Sequence, residues 1–576
     1  MGVAVFLLSN YPSQIYNKGI IKILKRNNKA RVCFIVFISL VIAFCILGEN
    51  LRAKFWIIDD HEIMNFLGSG GKLTLNEILP KFFSNRETGV FGTSLFRLSY
   101  NFIKLLEICL WGENATLWYL ARILIFAFFI IVLWYLFQKW IGLIYSFVFT
   151  MSVISYPYWV KIFYRLGPPE IYAILGLTLY FLGFFNYLGK VKIYALGEKN
   201  YCVIEWLCMI IGSLIAFGSK ENSLIFILPT LYVFVDSLLK KRLNFVSLLS
   251  IIIITFYALL AVVSLYLGLS KAGVDAFLRD ATFASKFSIF KEALLRKTSL
   301  LFISSILCLI AFFLIFYFLK RREYFKKNLK IILKTVLLPA FYISLLFFIY
   351  LVQIVFYAGG WPTRARYDFP GMLALDIFYL FLIFTLLNLM KFLGLSLRYF
   401  SAFKFFSSFV FIFIIIINCC NFNSRDYIKK QVLKTIVFSN NIEKIAKQCK
   451  ENPEWPLIFK SFWIMDSEPV ISVCRFLVPY QVKNPYFLEF VNSYPPELFS
   501  EKLQKIMIDW FYSLSQNGGE GGFRPLSELK IVDSRCFVVE FSGNSNSYSS
   551  CINLGKIYGP EEELSKAVFL EGRENE

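Results

Sequence analysis

Long runs of apolar residues, separated by short polar or basic segments, recur from residue 32 to residue 419 of this 576-residue chain. About 20 apolar residues are the length that an α-helix needs to cross a bilayer. Hydropathy places such spans at 32–48, 117–137, 141–160, 169–189, 202–218, 222–239, 244–268, 298–319, 331–357, 372–391 and 403–419. The pattern therefore predicts an all-α polytopic membrane bundle of about 11 transmembrane helices.

Composition and charge agree with this class, because 57% of the residues are hydrophobic. A basic leader, residues 1–31, precedes the first span, and no small-x-small cleavage site follows that span. We therefore expect a retained helix with a cytoplasmic N-terminus. Lysine and arginine then fall in alternate loops, as expected of cytoplasmic loops. Much of the net charge of +21 follows from this topology, which argues against nucleic acid as a partner.

The first predicted outer loop, residues 49–116, is long for a simple connector. Within it, Thr74 and Glu77 form the pattern of a capping box, and apolar residues follow at helical spacing. We predict a short amphipathic helix that lies in the interface plane. Residues 32–420, including this loop, are predicted to form the transmembrane domain.

The composition changes after residue 420, where the apolar runs shorten and polar residues become more frequent. Residues 421–576 are predicted to form a soluble extracytoplasmic domain of the α+β class, which has a normal size for an independent fold. Residues 427–450 have a helical pattern. Residues 536–541, followed by the turn-rich segment 542–550, are typical of a strand and a hairpin.

Charged side chains collect in four loops that this topology places on the extracytoplasmic side. A charge at a membrane interface is costly to hold, so three carboxylates directly after the first span indicate a function. The chain's only histidine lies among these carboxylates. The four segments are Asp59-Asp60-His61-Glu62, Arg165 to Glu170, Lys220-Glu221, and Arg364 to Tyr367.

This arrangement resembles the GT-C superfamily of integral membrane glycosyltransferases, which includes the protein O-mannosyltransferases and the aminoarabinose transferases. The long first outer loop, its acidic opening, its interfacial helix and the trailing outer domain are the shared features. The family's short motifs are matched by Asp59-Asp60, Pro169-Glu170, Lys220-Glu221, and Arg366-Tyr367 with Pro370. A clear Arg-Phe-x-Pro element and a Trp-Trp-Asp signature are missing from the sequence, which argues against en bloc transfer of an oligosaccharide to asparagine.

The resemblance implies an inverting hexosyl- or pentosyltransferase that takes its sugar from a polyprenyl-phosphate lipid. The acceptor would be a glycan, lipid or protein outside the cytoplasm. High Phe, Ile, Lys and Asn usage suggests a bacterial chain, so we expect a plasma (inner) membrane location. A carboxylate must take the proton of the acceptor hydroxyl, and we predict Asp59, with Asp60 next, as catalytic residues. Fixed cations stabilise a leaving phosphate. The predicted substrate-binding residues are His61, Glu62, Arg97, Arg165, Glu170, Lys220, Glu221, Arg364, Arg366 and Tyr367.

Several alternatives stay open at this point. An arginine at a helix end can simply anchor the helix, Glu170 can cap its helix, and Lys220 can pair with Glu221. One carboxylate of the acidic pair could instead bind a divalent cation, Mg²⁺ or Mn²⁺, although we predict no resident cofactor or metal site. The alternative functions are a polymerase or ligase of surface polysaccharide, and a non-enzymatic transporter or flippase of a lipid-linked glycan.

Overall fold

The computed structural model describes residues 28–56, 60–67, 70–84, 96–194, 203–239, 245–272, 283–319, 338–356, 366–392, 397–461, 467–490, 524–525, 536–542 and 551–558. The predicted basic leader lies almost entirely outside these residues. The helices between the N-terminal end and residue 421 are α1 (Asn28–Leu47), α2 (His61–Leu67), α3 (Leu75–Ser84), α4 (Leu98–Trp111), α5 (Ala115–Ile141), α6 (Leu143–Ile154), α7 (Pro157–Phe163), α8 (Glu170–Tyr194), α9 (Val203–Phe217), α10 (Ile227–Leu239), α11 (Phe245–Ala272), α12 (Phe283–Leu294), α13 (Lys297–Leu319), α14 (Leu338–Phe356), α15 (Gly371–Phe392) and α16 (Leu397–Asn421).

Within the described residues, each of the eleven predicted spans overlaps a helix of this list, and the predicted all-α polytopic bundle is confirmed. Among the described residues, five helices are long and apolar enough to cross a membrane. The pair α6 and α7, bent by 66° at a short break, makes a sixth. Pro157 at the first position of α7 accounts for the break, because it has no backbone N–H to continue α6. The remaining predicted spans are shorter apolar helices in the described part of the chain.

The antiparallel helices α8 and α9 pack backbone against backbone. A Cβ at Gly176 would lie 2.5 Å from the amide nitrogen of Ala216, and a Cβ at Gly212 would lie 2.4 Å from that of Tyr180. Glycine is therefore required at both positions for this approach. As a result, the start of α8 and the end of α9 are held close together, and these two ends carry Glu170 and Lys220.

The first outer loop contains a short 3-10 turn, Gly48–Arg52, and helices α2 to α4. The amphipathic helix predicted after Thr74 is confirmed as α3. The amide of Thr74 donates to Glu77 Oε2 at 2.8 Å, which closes the first turn. Ile78 faces the protein core, whereas Leu79 and Phe83 are 56% and 78% exposed. An exposed apolar face of this kind fits the predicted position in the membrane interface.

Beyond residue 421, the described elements are α17 (Ser424–Glu451), β1 (Leu457–Ser461), α18 (Ser467–Leu477), β2 (Tyr486–Phe490), β3 (Arg524–Pro525), β4 (Cys536–Ser542) and β5 (Cys551–Tyr558). The strands form one sheet in the order β3-β2-β1-β4-β5. The predicted helix and antiparallel strand pair are confirmed as α17 and β4–β5. The other pairings are parallel, and α18 is the crossover that connects the parallel strands β1 and β2.

The apolar core runs without a break from the membrane helices into this C-terminal part. One cluster of buried side chains includes Phe126 of α5, Ile63 of α2, Ile428 of α17 and Leu457 of β1. Helix α18 packs on α2, and α17 packs on the turn that ends α1. The C-terminal part therefore covers the first outer loop. The predicted domain boundary between residues 420 and 421 stays a prediction.

Candidate functional site

Asp60 connects the first outer loop to the turn before α8. Its Oδ2 accepts the backbone N–H of Trp56 at 2.8 Å. Its Oδ1 accepts the N–H groups of Leu166 and Gly167 at 3.0 and 2.8 Å. The side chain is fully buried. A buried carboxylate that receives three backbone hydrogen bonds is well suited to fix a loop, since the donors satisfy both of its oxygens.

Glu62 is the second residue of α2. Two side chains of α4 form hydrogen bonds with its carboxylate. Lys104 Nζ donates to Glu62 Oε2 at 2.5 Å, and the Tyr100 hydroxyl lies 2.8 Å from the same oxygen. The hydroxyl is also 2.7 Å from the carbonyl oxygen of Gly167. Burial alone would raise the pKa of Glu62, but the charges of Lys104 and His61 and the two hydrogen bonds lower that pKa from 4.5 to about 2. Glu62 is therefore held ionised.

His61 connects the acidic segment to the C-terminal part of the chain. Its Nδ1 lies 2.8 Å from the hydroxyl of Ser472, which belongs to α18. Both side chains are buried. Because 411 positions separate the two residues, this contact exists only when α18 lies on α2. The C-terminal part thus helps to fix the position of the acidic segment.

Four predicted substrate-binding residues meet where α8 begins and α9 ends. Lys220 Nζ lies 3.0 Å from Glu170 Oε1 and 5.5 Å from the centre of the Tyr367 ring. The Arg366 guanidinium lies over the same ring at 5.0 Å. Glu170 and Lys220 are 0% and 6% exposed. Three distant segments of the chain thus form one group of charges and an aromatic ring, in which Arg366 and Tyr367 are half-buried.

A second ion pair extends this group towards the first outer loop. Arg97 Nε lies 3.9 Å from Glu221 Oε1, and its guanidinium lies 5.8 Å from the centre of the Tyr100 ring. The neighbours Lys220 and Glu221 therefore each pair with a residue of another segment. We name the following six residues the polar centre: Arg97, Glu170, Lys220, Glu221, Arg366 and Tyr367.

Two buried carboxylate oxygens of the polar centre have no hydrogen-bond donor among the described residues. They are Glu170 Oε2 and Glu221 Oε1. Buried oxygens of native proteins nearly always accept a hydrogen bond. The polar centre can therefore accept hydrogen bonds from the hydroxyl groups of a ligand, while its cations can bind an anionic group.

Arg165 lies next to the loop that Asp60 fixes. Its guanidinium is 5.4 Å from the ring centre of Trp56 and 4.8 Å from that of Tyr164, which are cation–π distances. Asp59 and Arg364 lie outside the described residues. The catalytic and substrate-binding roles predicted for all twelve residues stay predictions.

Sequence reasoning did not select Tyr100 and Lys104, which bind Glu62. The two residues are four positions apart and therefore share a face of α4. Both are buried, and Lys104 Nζ lies 4.5 Å from the centre of the Tyr100 ring. A lysine in an apolar helix is the signal that could have identified this pair.

A buried triad also went unpredicted, although Arg122 is the only charged residue in the predicted span 117–137. Its two terminal nitrogens donate to the two oxygens of Glu107 at 2.6 and 2.7 Å. The second nitrogen also donates to the Tyr172 hydroxyl at 2.8 Å. The triad joins α4, α5 and α8 behind the polar centre, and the ring of Tyr172 packs edge-on against that of Tyr100.

An apolar crevice lies between α5, α8, α10, α14 and α15. Its lining is almost wholly hydrocarbon, and it includes Phe181, Phe226, Ile349, Pro370 and Leu373. Phe226 ends the 3-10 turn that Glu221 begins, and Pro370 follows the turn that contains Arg366 and Tyr367. The crevice therefore begins next to the polar centre and continues among the apolar helices.

The described residues contain no group of three or more His, Cys, Asp or Glu side chains that could hold a metal ion. In the polar centre, each carboxylate faces a cation instead of a second carboxylate. The sequence left a divalent cation open at the Asp59–Asp60 pair, and this stays a prediction because Asp59 lies outside the described residues.

Comparison with known proteins gives similarity to solved structures only. No family model and no curated protein matches the chain. The crystal structure of ArnT from Cupriavidus metallidurans bound to undecaprenyl phosphate is similar with a TM-score of 0.37 and 13% identity, over 89% of this chain and 94% of that chain. The apo form of the same protein is similar with a TM-score of 0.32 and 13% identity, over 89% and 93% of the two chains. Both TM-scores are below 0.5.

Proposed function

We propose that this chain is a membrane glycosyltransferase of the GT-C type. It transfers one sugar from a polyprenyl-phosphate lipid to an acceptor hydroxyl on the extracytoplasmic side of the membrane. The N-terminus is cytoplasmic in this proposal, and the polar centre and the C-terminal part lie on the opposite side.

The observation that carries the proposal is the polar centre at the end of the apolar crevice. A ligand that occupies both needs an apolar part for the crevice and an anionic head with hydroxyl groups for the polar centre. A polyprenyl-phosphate sugar has these parts in the required order. Arg97, Lys220 and Arg366 supply cations for the phosphate, and the open oxygens of Glu170 and Glu221 accept hydrogen bonds from the sugar.

The reaction needs one proton transfer and one displacement. The acceptor oxygen forms a bond to the anomeric carbon while the bond from that carbon to the phosphate oxygen breaks. The bonding electron pair leaves with the lipid phosphate, whose negative charge the cations of the polar centre stabilise. The acceptor proton passes to a carboxylate. A single displacement of this kind inverts the anomeric configuration.

We assign the base to Asp59 and a positioning role to Asp60. The oxygens of Asp60 already accept three backbone N–H groups, and Glu62 is engaged by Lys104. Neither carboxylate is therefore well placed to take a proton from an acceptor. Asp60 instead ties the backbone of Trp56 to the turn before α8.

The test is sugar transfer in liposomes from a panel of radiolabelled polyprenyl-phosphate sugars, with the wild-type chain compared with Asp59→Asn. We expect transfer from at least one donor, and a loss of at least 1,000-fold in Asp59→Asn at an unchanged unfolding temperature. Asp60→Asn should lose activity together with stability, because its amide nitrogen cannot accept the backbone hydrogen bonds.

Two outcomes would replace the proposal. Movement of labelled lipid between leaflets without sugar transfer would make the chain a transporter. Transfer only from donors that carry a whole glycan unit would make it a polymerase or ligase.

A further inference from the structure

A second cleft of about 880 Å³ lies beside α2, the helix that carries His61 and Glu62. It lies between the turn that ends α1, the start of α5, and the C-terminal elements α17 and the 3-10 turn Val478–Tyr480. Its size is within the range of small-molecule sites. The cleft shares no lining residue with the polar centre or the apolar crevice.

The rim of this cleft carries balanced charge. Glu113 and Glu443 supply two carboxylates, and Arg52 and Lys54 supply two cations. All four side chains are exposed. Neither carboxylate forms an ion pair or a side-chain hydrogen bond with another residue that the structure describes. Both act on Tyr480, because burial together with the charges of Glu443 and Glu113 raises the pKa of its hydroxyl.

The floor of the cleft is apolar and aromatic. It includes Phe55 and Met64 from the first outer loop, and Phe438 and Phe476 from α17 and α18, all buried. Met64 lies in α2, one helical turn after His61. The floor of the cleft therefore adjoins the helix that carries the acidic segment.

These features select a ligand class. Balanced rim charge does not favour a simple anion or a simple cation. A sugar hydroxyl donates to a carboxylate and accepts from an ammonium or guanidinium group, so a polyhydroxyl ligand can use both kinds of rim charge. Tyr480, which is half-buried, offers an aromatic ring with a polar edge beside this apolar floor, and a sugar ring can pack on it.

We propose that this cleft binds a saccharide, namely the non-reacting sugar units of a glycan acceptor. The role as an acceptor site rests on the proposed transferase function, whereas saccharide binding does not. The proposal names a glycan as the acceptor class and gives the C-terminal part a share in recognising it.

Binding can be tested without transfer activity. Saturation-transfer NMR with the full chain in micelles would use maltotriose, cellotriose, chitotriose and a Ser/Thr-rich peptide as separate probes. We expect a saturation-transfer signal from at least one trisaccharide. Its dissociation constant should rise at least tenfold in the Glu113→Gln/Glu443→Gln double variant. Glu451→Gln, at the exposed end of α17 outside the cleft, is the matched control and should bind like the wild type.

The proposal would be overturned if no trisaccharide gave a saturation-transfer signal, or if the wild type and the double variant bound a trisaccharide equally well. A saturation-transfer signal from the peptide alone would assign the cleft to a protein acceptor and would also overturn the proposal. If the wild type binds a trisaccharide but processes no lipid donor in liposomes, the transferase function fails and the saccharide site stands.

Discussion

Two buried glutamates, Glu107 and Glu170, differ in how their oxygens are satisfied. Both oxygens of Glu107 accept hydrogen bonds from the guanidinium group of Arg122 in a bidentate pair, and the Tyr172 hydroxyl donates a further hydrogen bond to Glu107. Glu170 has one ion-pair contact to Lys220 at 3.0 Å, and its Oε2 has no donor among the described residues. The first arrangement is complete within the protein, whereas the second leaves a bonding position for a ligand.

This difference separates structural charge from functional charge. A buried carboxylate is strongly stabilised only when its geometry is good and its remaining lone pairs are satisfied. Glu107 meets this condition and ties α4 to α5. Glu170 does not meet it with protein atoms alone, which supports its place in a substrate site. The number of buried charges alone would not have distinguished the two.

The largest effect is expected when the complete pair is broken. Glu107→Gln leaves the Arg122 guanidinium buried without its counter-charge, which should destabilise the fold by about 3–5 kcal/mol. Thermal unfolding in micelles measures the loss. The compensating variant Glu107→Leu/Arg122→Met should recover most of it, since an apolar pair can replace a buried ion pair. A Glu107→Gln chain as stable as the wild type would contradict the structural role.

A smaller stability effect with a larger activity effect is expected at the polar centre. Lys220→Met removes one cation of the proposed phosphate site, and sugar transfer should fall about 100-fold or more, as for loss of one charge-stabilising donor. Its unfolding temperature should fall by less than that of Glu107→Gln. Lys220→Arg retains the charge and serves as the control. Equal stability losses in Lys220→Met and Glu107→Gln would remove the distinction between the two sites.

Glu62, which pairs with Lys104, is a third carboxylate whose satisfaction can be tested by the pH dependence of stability. Its pKa is lowered from 4.5 in the unfolded chain to about 2 in the folded one by Lys104, His61 and two hydrogen bonds, against the effect of burial. The stabilisation of the fold by ionised Glu62 is therefore complete above pH 4.5 and is lost as the pH falls towards 2. Glu62→Gln should show a shallower loss of stability across this window. Parallel curves for the two proteins would show that Glu62 is not held ionised.

The smallest effect is expected at Ser472. Ser472→Ala removes one hydrogen bond to His61 and should cost about 1 kcal/mol of stability. Because α18 would still pack on α2, sugar transfer should fall less than tenfold. Ser472→Thr, which keeps a hydroxyl, is the control. A loss of transfer as large as in Lys220→Met would mean that His61 takes part in the reaction directly.

The sequence by itself determined the membrane helices and the charged segments that meet in the polar centre. In a membrane, a long apolar segment can satisfy its backbone within itself by forming a helix, and each of the eleven predicted spans overlaps a helix in the described residues. Local signals were equally reliable where they depend on neighbours in the chain, as at the Thr74–Glu77 cap of α3. The concentration of charge beside predicted spans selected Glu170, Lys220, Glu221 and Arg366, because charge in that place is costly unless it is used.

Only the tertiary structure decided which of these charges meet and how completely each is satisfied. The Lys220–Glu170 contact depends on the close approach of α8 and α9 at Gly176 and Gly212. The three backbone donors of Asp60 lie in two distant segments, and this arrangement is the basis for the positioning role that we propose for it. The contact of His61 with Ser472, and the cleft beside it, depend on α18 packing against α2. Hydropathy and spacing report on local conformation, whereas hydrogen-bond satisfaction is a property of groups that are brought together from distant parts of the chain.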